Sequence, residues 1–277
     1  MNARALLASP FGFLIGLSLG ALGGGGSILA VPVLVYAAGQ SPQAATATSL
    51  VVVGVAALWA LRRQHAAGNV RVGAGVVFAL AGVGGSLAGT MLNHSLDPDV
   101  LLVGFSVVML VAAAGMWRRA HGSLGAGDEP IDPGAEAADR VADPVSTHTR
   151  TRIDTGTVVG VLGAGTLVGF MTGLFGVGGG FVIVPALVLV LGFRMREAVG
   201  TSLLVIAIST AVALVPRLGS GVIDLGVVIP FTLAAMLGAS TGAKLGQRVD
   251  PDRLIGWFAG LLVAVALYTG VSSALAL

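Results

Sequence analysis

Residues 23–32 read GGGGSILAVP and residues 176–185 read GVGGGFVIVP. Each stretch is a glycine cluster inside a long apolar run, each leads into Val-Pro, and the two lie 153 residues apart, Pro32 matching Pro185. The same offset, without a gap, pairs Gly16 with Gly169, Gly39 with Gly192, and Thr48-Ser49-Leu50 with Thr201-Ser202-Leu203. It also pairs Gly68 with Gly221, Gly89 with Gly242, and Asp97-Pro98 with Asp250-Pro251. One unit is used twice. Apolar segments interrupted by glycine and proline at matching places in two halves of a chain mark a transporter whose site lies where the repeats meet.

Composition agrees with a membrane setting. The 277 residues are 55% hydrophobic and 10% charged, with a mean hydropathy of +0.95, whereas soluble domains are about 25% charged. The 43 glycines fall mostly inside apolar segments, where small residues let helices approach closely. A net charge of +2 is too weak for a nucleic-acid surface, and the absence of cysteine excludes disulfides and thiolate metal sites. Residues 1–21, with Arg4 ahead of an apolar run, have the outline of a signal peptide. The same pattern recurs at 157–193 in mid-chain, so the first segment is expected to be retained.

Apolar segments fall at about 9–38, 43–61, 72–92 and 100–117, and again at about 156–193, 198–215, 225–243 and 254–276. Roughly 20 apolar residues span a bilayer as helix, which fits the second to fourth member of each set. The first member of each set is too long for one span and is broken by glycine at its centre. The chain therefore divides into a membrane repeat over 1–119, a linker over 120–154 and a second membrane repeat over 155–277. The linker carries Asp128, Glu129, Asp132, Glu136, Asp139 and Asp143 among Pro130, Pro133 and Pro144. Such acidic, proline-broken sequence is expected to be a solvated, disordered cytoplasmic tether.

Lys and Arg set orientation because they collect in cytoplasmic loops. Arg62, Arg63 and Arg71 flank the connection between the second and third segments, and Arg118 and Arg119 follow the fourth. In the second half the basic residues move to the other connections: Arg194 and Arg196 precede the sixth segment, and Lys244, Arg248 and Arg253 lie between the seventh and eighth. The halves are therefore expected to be inverted, which needs an odd number of crossings in each. That follows if segments one and five enter and leave on the same side, as two half-helices around the glycine turn. The expected fold is all-α, with two inverted repeats, each of three transmembrane helices plus a glycine-broken re-entrant hairpin, and both termini outside. Arg4 speaks for the alternative, eight full spans in two parallel halves with the termini inside.

No HExxH or complete Walker A sequence is present, the two GxSxG matches (16–20 and 238–242) lie inside apolar segments, and no enzyme is expected. His65, His94, His121 and His148 lie at segment ends or in the linker, so neither a metal nor a cofactor is expected. No ionisable residue falls within the central stretch of an apolar segment, so a charged solute would be held by dipoles. A broken helix supplies them: its N-terminus offers unpaired N–H groups and partial positive charge to an anion, and glycine permits the sharp turn. Gly24, Gly25 and Gly26 before Ser27, and Gly178, Gly179 and Gly180 before Phe181, are the candidate binding turns. Pro32 and Pro185 are expected to break or kink the half-helices that follow. The hydroxyls of Thr48, Ser49, Thr201 and Ser202 either face the same cavity as donors, bond back to a carbonyl one turn earlier, or make a helix–helix hydrogen bond. Gln43 and Arg196, at matching positions, are candidate mouth residues; Arg196 either attracts anions or only sets topology.

The two clusters, followed by ATATSL at 45–50 and AVGTSL at 198–203, resemble the TauE/SafE family (TSUP) of sulfite and sulfonate exporters. The resemblance covers roughly 10–117 and 156–270. It implies a multi-pass permease for a small anion such as sulfite, a sulfonate or a related organic anion. The family's glycine-rich segments match Gly23–Gly26 with Pro32 and Gly176–Gly180 with Pro185, and its Thr-Ser positions match Thr48-Ser49 and Thr201-Ser202. Ser27 standing opposite Gly180 departs from the repeat, so the two hairpins need not bind alike.

These readings converge on a secondary transporter exporting a small anion across the cytoplasmic (inner) membrane. The anion is expected to be bound by backbone amides and hydroxyls at the repeat interface. The anion and the lipid bilayer are its expected partners, nucleic acid is not, and self-association stays open. A passive anion channel with a dipole-lined filter and a non-transporting membrane scaffold are the alternatives. A reporter fused at Leu277 should be active only outside; a C-terminus active only in the cytoplasm would rule out the re-entrant topology.

Overall fold

The duplication read from the sequence is a duplication of backbone geometry. In a computed structural model, which describes residues 3–36, 38–93, 98–122, 155–175, 180–215 and 225–274, the described residues form helices and no strand. Gly178, Gly179 and residues 123–154 of the linker lie outside the described residues, while the first three residues read as linker, 120–122, are helical and end the helix Pro98–Gly122. The first repeat runs α1 (Ala3–Leu22), a 3-10 turn (Gly23–Gly26), α2 (Ser27–Tyr36), α3 (Pro42–Ala66), α4 (Val72–Asn93) and α5 (Pro98–Gly122). The second runs α6 (Thr155–Phe175), α7 (Gly180–Pro185) with a π turn (Ala186–Val190), α8 (Met195–Leu214), α9 (Leu225–Arg248) and α10 (Pro251–Ala274).

The turn before α3 and the turn before α8 match bond for bond. Gly39 and Gly192 both take φ +67°, a conformation that glycine adopts without steric cost. The N–H of Ala38 donates to the Val33 carbonyl as that of Leu191 donates to Ala186, both at 3.3 Å. The N–H of Gln40 donates to Leu34 (3.1 Å) as that of Phe193 donates to Leu187 (3.0 Å). Each following helix is then capped, differently: Ser41 Oγ accepts from Ala44 N–H in α3, and Glu197 Oε2 accepts from Arg194 N–H in α8. The two prolines diverge. After Pro185 the chain passes into π geometry, as expected where an N–H is missing. Pro32 does not end its helix; α2 continues through it to Tyr36.

Helices α3, α4, α8 and α9 are apolar and long enough to cross a membrane, and α5 and α10, at 25 and 24 residues, match them in length. Their outer faces are apolar as well: Leu80 (63% exposed), Met91 (77%) and Leu237 (66%) point away from the bundle. In water such a surface would be an aggregation site; in lipid it is the solvated face. The protein is an all-helical bundle of membrane type.

Packing exchanges elements between the repeats. α1 lies along α9 and α6 lies along α4, so the first helix of each repeat is held by the fourth helix of the other. α3 packs on its own counterpart α8, and α5 on α10. Between α1 and α9, Gly12, Gly16 and Gly20 face Phe231, Ala235 and Ala239 in rising order, so these helices run the same way. α4 and α6 do likewise, with Gly165, Gly169 and Gly173 facing Phe78, Gly82 and Ser86. α3 and α8 run oppositely: Gly54 faces Thr210, while Arg71, beyond the end of α3, reaches Thr201 near the start of α8. Lipid gives apolar helices no hydrophobic drive to associate, so close backbone approach through glycine supplies the contact.

The first apolar segment is expected to split into two half-helices. It splits unequally, into the 20 residues of α1 and the 10 of α2. The reason lies in the exchange: α1 must extend far enough to pair with α9, from Phe231 opposite Gly12 to Gly246 opposite Ala21.

Adjacent glycines on α4 test this packing. A Cβ at Gly85 would run into the Thr166 carbonyl of α6, whereas one at Gly84 meets nothing within 4 Å. Gly85→Ala should destabilise by about 1–3 kcal/mol, and Gly84→Ala should be neutral or stabilise by up to about 1 kcal/mol. Equal melting temperatures in detergent would show that α4 and α6 are not this close.

Candidate functional site

The first glycine cluster turns the chain back on itself. At Gly23 φ is +72°, and Gly26 then lies against the backbone of Ile15 and Leu19, one to two turns back along α1. Gly23, Gly24, Gly25 and Gly26 are all buried. Each faces something that a side chain would displace. Gly24 lies on the main chain of Gly180, the first residue of α7. Gly180 in turn lies against Ser27 Oγ. Gly25 faces Phe258 and Leu261 of α10, both at 3.1 Å from its would-be Cβ. Gly23 faces Ser202 Oγ and, at 3.3 Å, Val199 Cα of α8 in the other repeat.

The hydroxyls are divided between two uses. Ser49 Oγ donates to the Thr46 carbonyl and Ser202 Oγ to the Val199 carbonyl, each at 2.8 Å. Ser27 Oγ donates to the Gly24 carbonyl (2.7 Å), and its main-chain N–H goes to the same oxygen. Ser27 therefore does not keep a free donor at the head of α2, which corrects the expectation from the helix start. The threonines differ. Thr48 and Thr201 are both fully buried; Thr201 Oγ1 accepts the Arg71 N–H at 3.1 Å, and Thr48 Oγ1 has no partner.

Thr201 is covered by the turn between α3 and α4. That turn is held by Gly68 at φ +73° and by Asn69, whose Nδ2 donates to Gln64 Oε1 at 2.9 Å. The Asn69 carbonyl presses on Gly200. Arg71 then bridges the repeats: its guanidinium donates to both carboxylate oxygens of Glu197 (3.0 and 3.1 Å) and lies 4.5 Å over the Phe193 ring.

Among the described residues no charged side chain is buried, so the interior offers an ion only neutral dipoles. The sequence profile described as "Sulfite exporter TauE/SafE" matches residues 8–269. The chain belongs to this family. A "Probable membrane transporter protein" of Xylella fastidiosa (strain Temecula1) is 32% identical over 260 residues, covering 93% of this chain and 91% of the relative. A protein of the same description from Xylella fastidiosa (strain 9a5c) is 31% identical with the same coverage. "Probable membrane transporter protein YunE" of Bacillus subtilis (strain 168) is 24% identical, covering 97% of this chain and 96% of the relative. No solved structure matches the chain.

In this TauE/SafE member Arg196, a candidate mouth residue by sequence, stands near the start of α8. It reaches the Val249 carbonyl (3.5 Å) and, with Arg194, Glu197 and Asn69, lines a polar recess of about 450 Å³. An apolar cavity of about 270 Å³, between α4, α6 and α8, is lined by Phe78, Leu87, Val168, Val205 and Val212 among others and by no charged residue. Gln43 belongs to the first turn of α3. Arg71 and Glu197 escape a reading of the sequence as site residues, Arg71 serving there only as a topology marker. The signal that could have found them is a broken repeat: Glu197 stands where the first half has Ala44, and Arg71 where the second has Asp224.

Because the chain has no cysteine, a single one at 201 would report on this cover. Glu197→Gln should raise the rate at which a water-soluble thiol reagent modifies Thr201→Cys severalfold. Stability should stay within about 1 kcal/mol, because the ion pair is half exposed. An unchanged labelling rate would show that the turn does not guard Thr201.

Proposed function

We propose that this family member is a secondary transporter that carries a small anion outward across the cytoplasmic membrane. Sulfite, a sulfonate and a related carboxylate are the candidate substrates. The anion is held where the hairpins meet, by main-chain N–H groups of Gly24, Gly25 and Gly26 and of Gly178, Gly179 and Gly180, together with the hydroxyls of Thr48 and Thr201. The observation that carries this reading is the contact of Gly24 with Gly180. Two broken helices brought tip to tip concentrate amide dipoles in a site without fixed charge. Ser49 and Ser202 shape the site rather than donate, since their hydroxyl protons are engaged within their own helices.

The repeats are proposed to be inverted, each with three crossings and a re-entrant hairpin. Opposite directions of α3 and α8 support this, and so does the distribution of arginine. Arg71 on Glu197, Arg196 on the Val249 carbonyl and Arg119 on the Val188 carbonyl (2.6 Å) gather the arginine-bearing connections at one end of the bundle. One basic end suits one cytoplasmic face; eight full spans would divide these residues between two faces. Rocking of one repeat against the other then opens the site to either side. A negative-inside potential favours anion exit by about 2.3 kcal/mol per charge per 100 mV, so export needs no coupling ion.

In reconstituted vesicles, uptake of sulfite or a sulfonate should saturate and show counterflow. Gly24→Ala, whose methyl would overlap the Gly180 carbonyl, should lower flux at least tenfold. Gly256→Ala, on α10 with nothing within 4 Å, should leave it unchanged. Wild-type vesicles that move none of these anions would remove the proposal, and an ohmic single-channel current would replace it with a channel.

A further inference from the structure

Among the described residues, three side chains have buried nitrogen or oxygen atoms without a hydrogen-bond partner: Gln40, Thr48 and Thr232. Two of the three answer, by the repeat offset, to residues that share one contact in the second half. Gln40 answers to Phe193 and Thr48 to Thr201. Arg71 serves both of those, its guanidinium over the Phe193 ring and its N–H on Thr201 Oγ1. Positions 193 and 201 therefore border one small space. The backbone that carries positions 40 and 48 repeats the geometry, down to the φ of Gly39 and the hydrogen bonds of Ala38 and Gln40. By the repeat offset, the matching positions of the first half carry a carboxamide, Gln40, and a hydroxyl, Thr48. The residue answering to Arg71 is Asp224, outside the described residues, so the repeat supplies no arginine there.

A buried polar group left unpaired destabilises a fold unless something completes it. We propose that Gln40 and Thr48 form a first-repeat subsite for the transported oxyanion, with Gln40 Nε2–H and Thr48 Oγ1–H donating to its oxygens. The subsite rests on the anion-transport reading above and makes it asymmetric: Thr201 Oγ1 already accepts the Arg71 N–H, so Thr48, whose hydroxyl has no partner, carries with Gln40 the larger share of the side-chain contacts. A carboxamide offers two donors and one acceptor, so it serves an oxygen of the anion together with part of its hydration shell. Neutral donors also suit a carrier, which must release what it binds.

Two variants test this, Thr48→Val and Gln40→Phe, the latter placing at 40 the residue that the second repeat itself uses. A merely structural role would lower the melting temperature of the ligand-free protein. A subsite does the reverse: removing an unpaired polar group should raise it by roughly 2–4 °C. In the same variants the thermal shift produced by sulfoacetate or sulfite, which follows ligand affinity, should need at least tenfold more ligand, and flux should fall with it. Thr232→Val is the control, since it removes the third unpaired group; it should raise the melting temperature and leave binding and flux as in wild type. Gln40→Phe and Thr48→Val proteins that bind and move the anion as wild type does would overturn the subsite alone. So would a shift that follows sodium rather than the anion. A wild type that neither binds nor moves sulfite, sulfonates or carboxylates would overturn the transport reading and the subsite with it.

Discussion

The architecture depends on backbone touching backbone. Gly24 against Gly180 closes the centre of the molecule, and Gly16 against Ala235 with Gly169 against Gly82 closes its two flanks. In each place a single methyl would separate the chains. Water does not drive these contacts in a bilayer; dispersion and dipoles at short range do, and both fade within an ångström or two. Glycine is thus the structural residue here, as leucine is in a soluble core. The anion site proposed above draws on the same contact, because amides buried in an apolar setting are completed by one another, by water or by a ligand.

Exchange of the first helix between repeats follows from that constraint. α1 and α6 each leave their own half to pair in parallel with α9 and α4, which ties the halves together while leaving α3 and α8 crossed at the centre. A pair of repeats linked in this way can rock without separating. The cross-repeat bridge from Arg71 to Glu197 is a different kind of contact, half exposed and charge-based, and is weak enough to open and close. Close backbone contacts at the flanks and a half-exposed ion pair between the repeats suit the carrier proposed above.

Duplication also explains why small departures carry information. Two halves of one ancestral design should solve each local problem alike, and at Gly39 and Gly192 they do. Where they differ, at Ser27 and Gly180, at Ala44 and Glu197, and at Gln40 and Phe193, symmetry no longer accounts for the residue. Thr48 and Thr201 are identical in sequence yet differ in their partners.

The sequence by itself determined the duplication, the apolar segments and the break at the first glycine cluster. These are periodic or compositional features, written in every segment and readable one residue at a time. It could not say which helix each segment leans on: nothing local in Gly16 names Ala235. It also left the hydroxyls undecided, since Ser49 and Ser202 can face a cavity or their own helix with equal ease, and only the packed backbone engages both in carbonyl bonds. Tertiary structure decided the meeting of the tips, the cover over Thr201 and the isolation of Thr48, because each depends on distances between residues far apart in the chain, and distance is what folding creates.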